Sequence, residues 1–191
     1  MADPVTATNK NDKQFPIHPE GQFTAVCVDG VDLGEQHNEK FGNWSQKYAI
    51  IFQTNEVNPD TGKMFEIAER YTVSMGEKAN LRKFLGQWRG KTYTDAEAEE
   101  GAPLHKLEGV NALVQIGHNT SPATGKTYAN IISIMPLPKG MPKIKAENYV
   151  RAEYWAEVKA KARKPEPVAA GRHSDEDFPG ALEDTDDDLP F

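Results

Sequence analysis

The stretch Asn80-Leu81-Arg82-Lys83-Phe84-Leu85-Gly86-Gln87-Trp88-Arg89-Gly90 breaks the prevailing pattern of the chain. Leu81, Phe84, Leu85 and Trp88 recur at i, i+3, i+4 and i+7, which puts four apolar side chains on one face of a helix. Ser74, three residues before Glu77, fits a capping box, and Gly90 fits a C-terminal cap, so both ends are marked. On either side the chemistry is that of strands. The run Gln22-Phe23-Thr24-Ala25-Val26-Cys27-Val28-Asp29-Gly30-Val31-Asp32-Leu33 is rich in β-branched residues, and Gly30 inside it predicts a bulge or sharp bend. A polar loop with Gly34 and Gly42 leads to a second strand over 44–56. Asn58-Pro59-Asp60-Thr61-Gly62 has turn chemistry, which makes Met64 to Val73 the hairpin partner. Beyond the helix, 91–108 reads as an acidic connection. Val110 to Asn119 and Lys126 to Leu137 then form a second hairpin around Ser121-Pro122-Ala123-Thr124-Gly125, and Pro136, Pro138 and Pro142 end the sheet.

Three strands, one helix and two strands is the succession of a five-stranded OB-fold barrel, so the expected class is all-β with one packed helix and disordered tails. A split α+β sheet with a packed helix fits the same string. The chain divides into a flexible arm over 1–19, a barrel domain over 20–140, a basic and partly helical neck over 141–167, and an acidic tail over 168–191. Within the neck, Val150, Tyr154 and Val158 are spaced by four, which predicts a short helix inside 147–164 that Pro165 and Pro167 stop.

At 191 residues, with 38 % apolar and 27 % charged residues, the chain accommodates one core and long solvated stretches. The single cysteine, Cys27, excludes a disulfide framework and a multi-cysteine zinc site, and a reducing, cytoplasmic setting is expected. No apolar run approaches a membrane span, and the polar start lacks a signal peptide's basic and apolar regions. The net charge of -7 is segregated. Residues 1–138 hold 13 basic against 17 acidic side chains, 139–172 hold 9 against 4, and 173–191 hold none against 8. A near-neutral body, a basic neck and an acidic tip suit a module with interaction tails.

Signals of catalysis are weak. Gly90-Lys91-Thr92 and Gly125-Lys126-Thr127 resemble the end of a phosphate-binding loop, but Leu85 and Thr120 stand where its first glycine is needed. His18, His37, His105, His118 and His173 lack metal-ligand spacing. No serine sits in a nucleophile elbow, and turn or bulge chemistry accounts for Asp29 and Asp32. The expectation is a binding protein, not an enzyme, with no cofactor and no metal.

The chain ends Glu183-Asp184-Thr185-Asp186-Asp187-Asp188-Leu189-Pro190-Phe191. Acids followed by Leu-Pro-Phe closely resemble the C-terminal tip of bacterial single-stranded-DNA-binding proteins, with Leu189 where that family more often has Ile. The resemblance implies docking of Asp186, Asp187, Asp188, Leu189, Pro190 and Phe191 onto replication, recombination and repair enzymes, through an apolar anchor and a captured carboxylate. The bland reading is a solubilising tail, for which the order of residues would not matter. Over about 18–140 the body instead resembles OB-fold single-stranded-DNA-binding proteins of phages and prophages. The passages that carry this are His18-Pro19-Glu20-Gly21-Gln22-Phe23-Thr24-Ala25-Val26-Cys27-Val28-Asp29, Asn80 to Lys91, and Gly125-Lys126-Thr127-Tyr128-Ala129-Asn130-Ile131.

Non-specific binding of single strands needs positive charge and aromatic platforms. Strand alternation sets Tyr48, Ile50 and Phe52 against Lys47, Ala49, Ile51 and Gln53, and Phe65, Ile67, Tyr71 and Val73 against Met64, Glu66, Ala68, Arg70 and Thr72. Placing the aromatic faces in the core leaves Lys47 and Arg70 outward. The expected contact set is Lys40, Phe41, Trp44, Lys47, Arg70, Lys126 and Tyr128, with Trp44 equally readable as a rim residue. The neck could add backbone contacts or hold the acidic tail. The leading expectation is a protein that coats single-stranded DNA in phage replication or recombination and recruits enzymes through its tip. The rivals are an adaptor that mimics a host tip without binding DNA, and a nuclease.

Overall fold

The computed structural model describes residues 16–39 and 42–163. Five strands run antiparallel: β1 (Gly21–Asn38), β2 (Asn43–Val57), β3 (Met64–Thr72), β4 (Asn111–Thr120) and β5 (Thr127–Pro136). Between β3 and β4 lie α1 (Asn80–Arg89), α2 (Asp95–Glu100) and a 3₁₀ turn (Leu104–Leu107), and α3 (Glu153–Ala160) follows β5. The protein is therefore mostly β, and the expected succession of three strands, one helix and two strands is incomplete. The 91–108 connection contains two short helical pieces.

All five strands belong to one sheet in the order β3-β2-β1-β4-β5. Three hairpin-linked strands with a fourth returning beside the first make a Greek key. The longest strand, β1, serves both halves. Its first six residues pair with β4 from Gly21↔Ile116 to Val26↔Asn111, while Ala25 to Asn38 pair with β2. The expected bend is present but not at Gly30. The register slips between Cys27 and Asp29 and again between Asp32 and Gly34, so Val28 and Leu33 are the extra residues. Gly30 matters for another reason: a β-carbon there would collide with the Tyr48 hydroxyl. The residues expected as a polar loop continue the ladder to Asn38↔Asn43, forming a long two-stranded arm.

The α1 helix keeps its expected buried face of Leu81, Phe84, Leu85 and Trp88. Gly90, at φ 72°, caps its C-terminus in the left-handed conformation. The N-terminal cap differs from expectation. Ala79 occupies that position without a side-chain bond, and the Ser74 hydroxyl instead accepts from Gly76 N at 3.3 Å. The capping box of this region belongs to Thr94 and Glu97 at the start of α2. The apolar face of α1 seals Ala25, Cys27, Ile50, Phe52, Ile67, Ala112, Val114, Ile116 and Ile134 into the main core.

A second core lies on the opposite face of the β1–β2 ribbon. Val31, Leu33, Ala49 and Ile51 are buried there beneath Trp155 of α3, with Val28, Tyr149 and Val158 packed around them. This cover is the described part of the neck. Its helix is confined to Glu153–Ala160, and its buried contacts come from Trp155 and Val158, whereas Val150 is 78 % exposed. Of the expected stripe only Val158 packs into this core: Val150 precedes the helix, and Tyr154 is 50 % exposed while its neighbour Trp155 takes the buried position.

Candidate nucleic-acid interface

Lys47 and Arg70 do project from one face, as alternation requires. Lys47 pairs with Thr72 and Ala49 with Arg70 in the β2–β3 ladder, and the Lys47 ammonium donates to the Thr72 hydroxyl. Trp44 is an odd number of positions from Lys47 on the same strand and so falls on the other face of the arm. There it is 41 % exposed, with its ring centroid 5.0 Å from that of His37, its ladder partner. Trp44 is thus not grouped with Lys47 and Arg70. Lys126 and Tyr128 lie in and beside the β4–β5 hairpin, on the far edge of the sheet order from β3, and Tyr128 is 45 % exposed. Lys40, Phe41 and the tip residues Asp186 to Phe191 lie outside the described residues.

One side-chain bridge connects the two edge strands. Glu69 shares the inward face of β3 with Phe65, Ile67 and Tyr71, and its carboxylate accepts from Ile131 N on β5 at 2.8 Å. Burial pushes the Glu69 carboxyl above its ordinary value, and the Ile131 N–H only partly opposes that shift.

Residues 144–163 form a strap across the outer face of β1 and β2, tied at intervals along its length. Asn111 exchanges two bonds with the backbone of Ile144, at 3.1 and 2.9 Å, and Gln53 does the same with Glu147, at 3.0 and 2.9 Å. Asp29 is buried and receives the Tyr149 hydroxyl at 2.7 Å and the Arg151 guanidinium through two nitrogens. Burial would raise the Asp29 carboxyl, but the Arg151 and Tyr149 hydrogen bonds and the Arg151 charge outweigh it and hold the group below its ordinary value. Tyr149 and Arg151 are both displaced upward, Tyr149 by burial first and then the Asp29 bond, Arg151 by the Asp29 bond first. At the far end Gln36 donates to Val158 O at 3.1 Å and Arg163 N donates to Glu35 O at 2.9 Å. Gly34, at φ 71°, admits the strap there, because a β-carbon would meet Ala162 at 2.8 Å.

The strap changes the surroundings of Arg70. Its guanidinium lies 5.3 Å from the Tyr154 ring centroid and 5.1 Å from that of Trp155, and it donates to the Tyr154 hydroxyl. Sequence reasoning missed the contacts of Tyr149 and Arg151 with Asp29 and of Tyr154 with Arg70. One signal was available. Ala49-Ile50-Ile51-Phe52 is an unbroken apolar run, which marks a strand covered on both faces. Asp32 fits turn chemistry, since its carboxylate accepts from Gly34 N at 2.9 Å; Asp29 borders the first bulge, as expected, but its carboxylate is taken up by Tyr149 and Arg151.

The remaining candidates are structural. Cys27 is buried, and desolvation pushes its thiol up to about 12, far from a reactive thiolate. His18 is buried between Phe23 and Phe65. Its Nδ1 donates to Pro19 O at 2.8 Å, so its Nε2 accepts from the Thr54 hydroxyl at 2.6 Å, and burial lowers its basicity. Among the described residues no three His, Cys, Asp or Glu side chains gather as a metal site would require, and no helix is long and apolar enough to cross a membrane. A groove of about 480 Å³ beside α1 is lined by Arg82, Lys83, Gln87, Lys91 and Tyr93, but Arg82 is paired with Asp95.

These features define the class as a mostly β protein built on one five-stranded antiparallel sheet. No family model matches the chain, and no curated protein is significantly similar to it.

Proposed function

We propose that the protein binds single-stranded DNA through an OB-type barrel, coats exposed strands in replication or recombination, and docks enzymes through Asp186 to Phe191. The observation that carries the reading is the Greek-key order with α1 between the third and fourth strands and Glu69 of one edge strand bonded to the other. A five-stranded OB barrel would have this arrangement, and such barrels bind oligonucleotides on the face of their second and third strands and on the loops beside it. Lys47 and Arg70 stand on that face here. Trp44 and the β4–β5 hairpin with Lys126 and Tyr128 occupy the flanking positions, as would the residues joining β1 to β2.

Titrating the full chain with labelled single-stranded and duplex oligonucleotides over a salt series tests this. Single strands should bind several-fold more tightly, with affinity falling as salt rises because phosphate contacts release counterions. Trp44→Ala and Tyr128→Ala should weaken binding without unfolding the domain. Equal affinity for duplex would sink the single-strand reading, and no binding at any salt concentration would transfer support to the adaptor that acts through its tip alone. For the tip, loss of Phe191 should abolish capture of host replication and repair enzymes while sparing DNA affinity, since it removes the apolar anchor and leaves the acids.

A further inference from the structure

Tyr154 combines features that seldom occur together. It is 50 % exposed, yet its ring is held in place: Trp155 meets it edge-on at 5.3 Å between centroids, and Arg70 both lies against the ring and donates to its hydroxyl. Trp155 itself is only 8 % exposed and seated on Val31, Leu33, Ala49 and Ile51, so the brace is anchored in the fold. A surface tyrosine ordinarily loses rotamer freedom when a ligand fixes it, whereas here much of that ordering is in place beforehand.

The surroundings select the ligand. Arg70 and Lys47 sit on the same face of adjacent strands, and residues 141–163 hold six Lys or Arg against three Glu. An ordered aromatic ring among cations suits a partner with flat unpaired rings on an anionic backbone, which is a single strand of nucleic acid. A duplex keeps its base faces stacked and cannot use the ring.

Resting on the reading of the protein as a single-strand binder, we propose that Tyr154 is a base-stacking platform contributed by the strap, with Arg70 acting as its brace and as a phosphate contact. The DNA surface is then composite, with the neck forming part of it.

The test uses the full chain and a labelled oligothymidylate over a salt series, with thermal unfolding as a second readout. Tyr154→Ala should weaken binding by about 5- to 150-fold, the range for one lost stack. Its salt slope should match wild type, because no phosphate contact is lost. Tyr154→Phe should stay within about threefold of wild type, since the stacking face survives. Arg70→Ala should weaken binding and flatten the salt slope by about 0.7 to 1, one phosphate contact. Wild-type affinity in Tyr154→Ala with a lowered melting temperature would overturn the proposal by showing a merely structural ring. An equal loss in Tyr154→Phe would overturn it too, because the hydroxyl and not the face would then matter. Wild-type protein that fails to bind at any salt would instead defeat the single-strand reading on which the proposal rests.

Discussion

The two faces of β2 are made in different ways. The inner face, with Ile50 and Phe52 buried and Tyr48 packed beside them, is closed by α1 and by neighbouring strands. The outer face, Ala49, Ile51 and Gln53, is buried just as deeply, but its cover arrives from the neck, with Gln53 and Glu147 separated by 94 positions and Asp29 and Arg151 by 122. The inner face is apolar packing with one acid at its edge, Glu69. The outer core is smaller and held by hydrogen bonds and one ion pair along the strap. Each face should therefore fail in its own way.

The largest effect is expected from Phe52→Ala. Emptying a fully buried aromatic site should cost about 3–5 kcal/mol and bring the whole domain near its unfolding threshold. Denaturant unfolding measures it, and a cost below about 1 kcal/mol would demote the inner face from its place as the main core. Trp155→Ala should cost somewhat less, about 2–3 kcal/mol, because the strap can relax away from the sheet. Its distinguishing sign is hydrogen exchange: amides of 144–163 should lose protection while the β1–β4 ladder keeps it. Uniform loss across the sheet would show that strap and sheet unfold as one unit.

Asp29→Asn should cost about 1–2 kcal/mol near neutral pH, at the lower end for a charged hydrogen-bonded group because Arg151 is largely in solvent. The Asp29 carboxyl is held below its ordinary value, so its contribution is present above the unfolded-state value and is lost as pH falls through the folded one. Stability curves of wild type and variant should converge in strong acid. Parallel curves would remove the ion pair as the tie.

Glu69 has the opposite sign. Its folded value is raised, so its contribution is complete below the unfolded-state value of about 4.3 and declines as pH rises through the folded value. Glu69→Gln should accordingly lack that decline and match or exceed wild type near neutral pH by up to about 1 kcal/mol. A variant that still loses stability between mildly acid and neutral pH would assign the decline to another group. The smallest effect is expected from Val150→Asp, within about 0.5 kcal/mol, because the side chain is outside both cores. A larger loss would restore Val150 to the apolar stripe that its spacing suggests.

The legibility of the fold follows the same division. Strand existence, the two hairpins, the buried stripe of α1 and the inward aromatic faces of β2 and β3 all followed from periods of two and 3.6, which report contacts between near neighbours. Spacing alone marks a capping box at Ser74, but Thr94 has the same spacing before Glu97 and also the backbone geometry to use it. Trp44 enters the contact set as an aromatic platform and Lys47 as an outward cation, but three positions along one strand place them on opposite faces.

What the amino-acid sequence determined by itself is the five strands, the α1 helix and the composition of the main core, because alternation and helical spacing are local properties of the chain. Tertiary structure alone decided what covers the outer face of β2, that Asp29 is an ion-pair partner and not only a bulge residue, and that Arg70 lies against Tyr154 and Trp155. The physical reason is that a half-buried strand specifies only that something apolar must cover it. Which distant segment does so is settled by the sum of many weak contacts, here Trp155 in its seat and the paired bonds from Asn111, Gln53 and Asp29, and no window of neighbouring residues contains that sum.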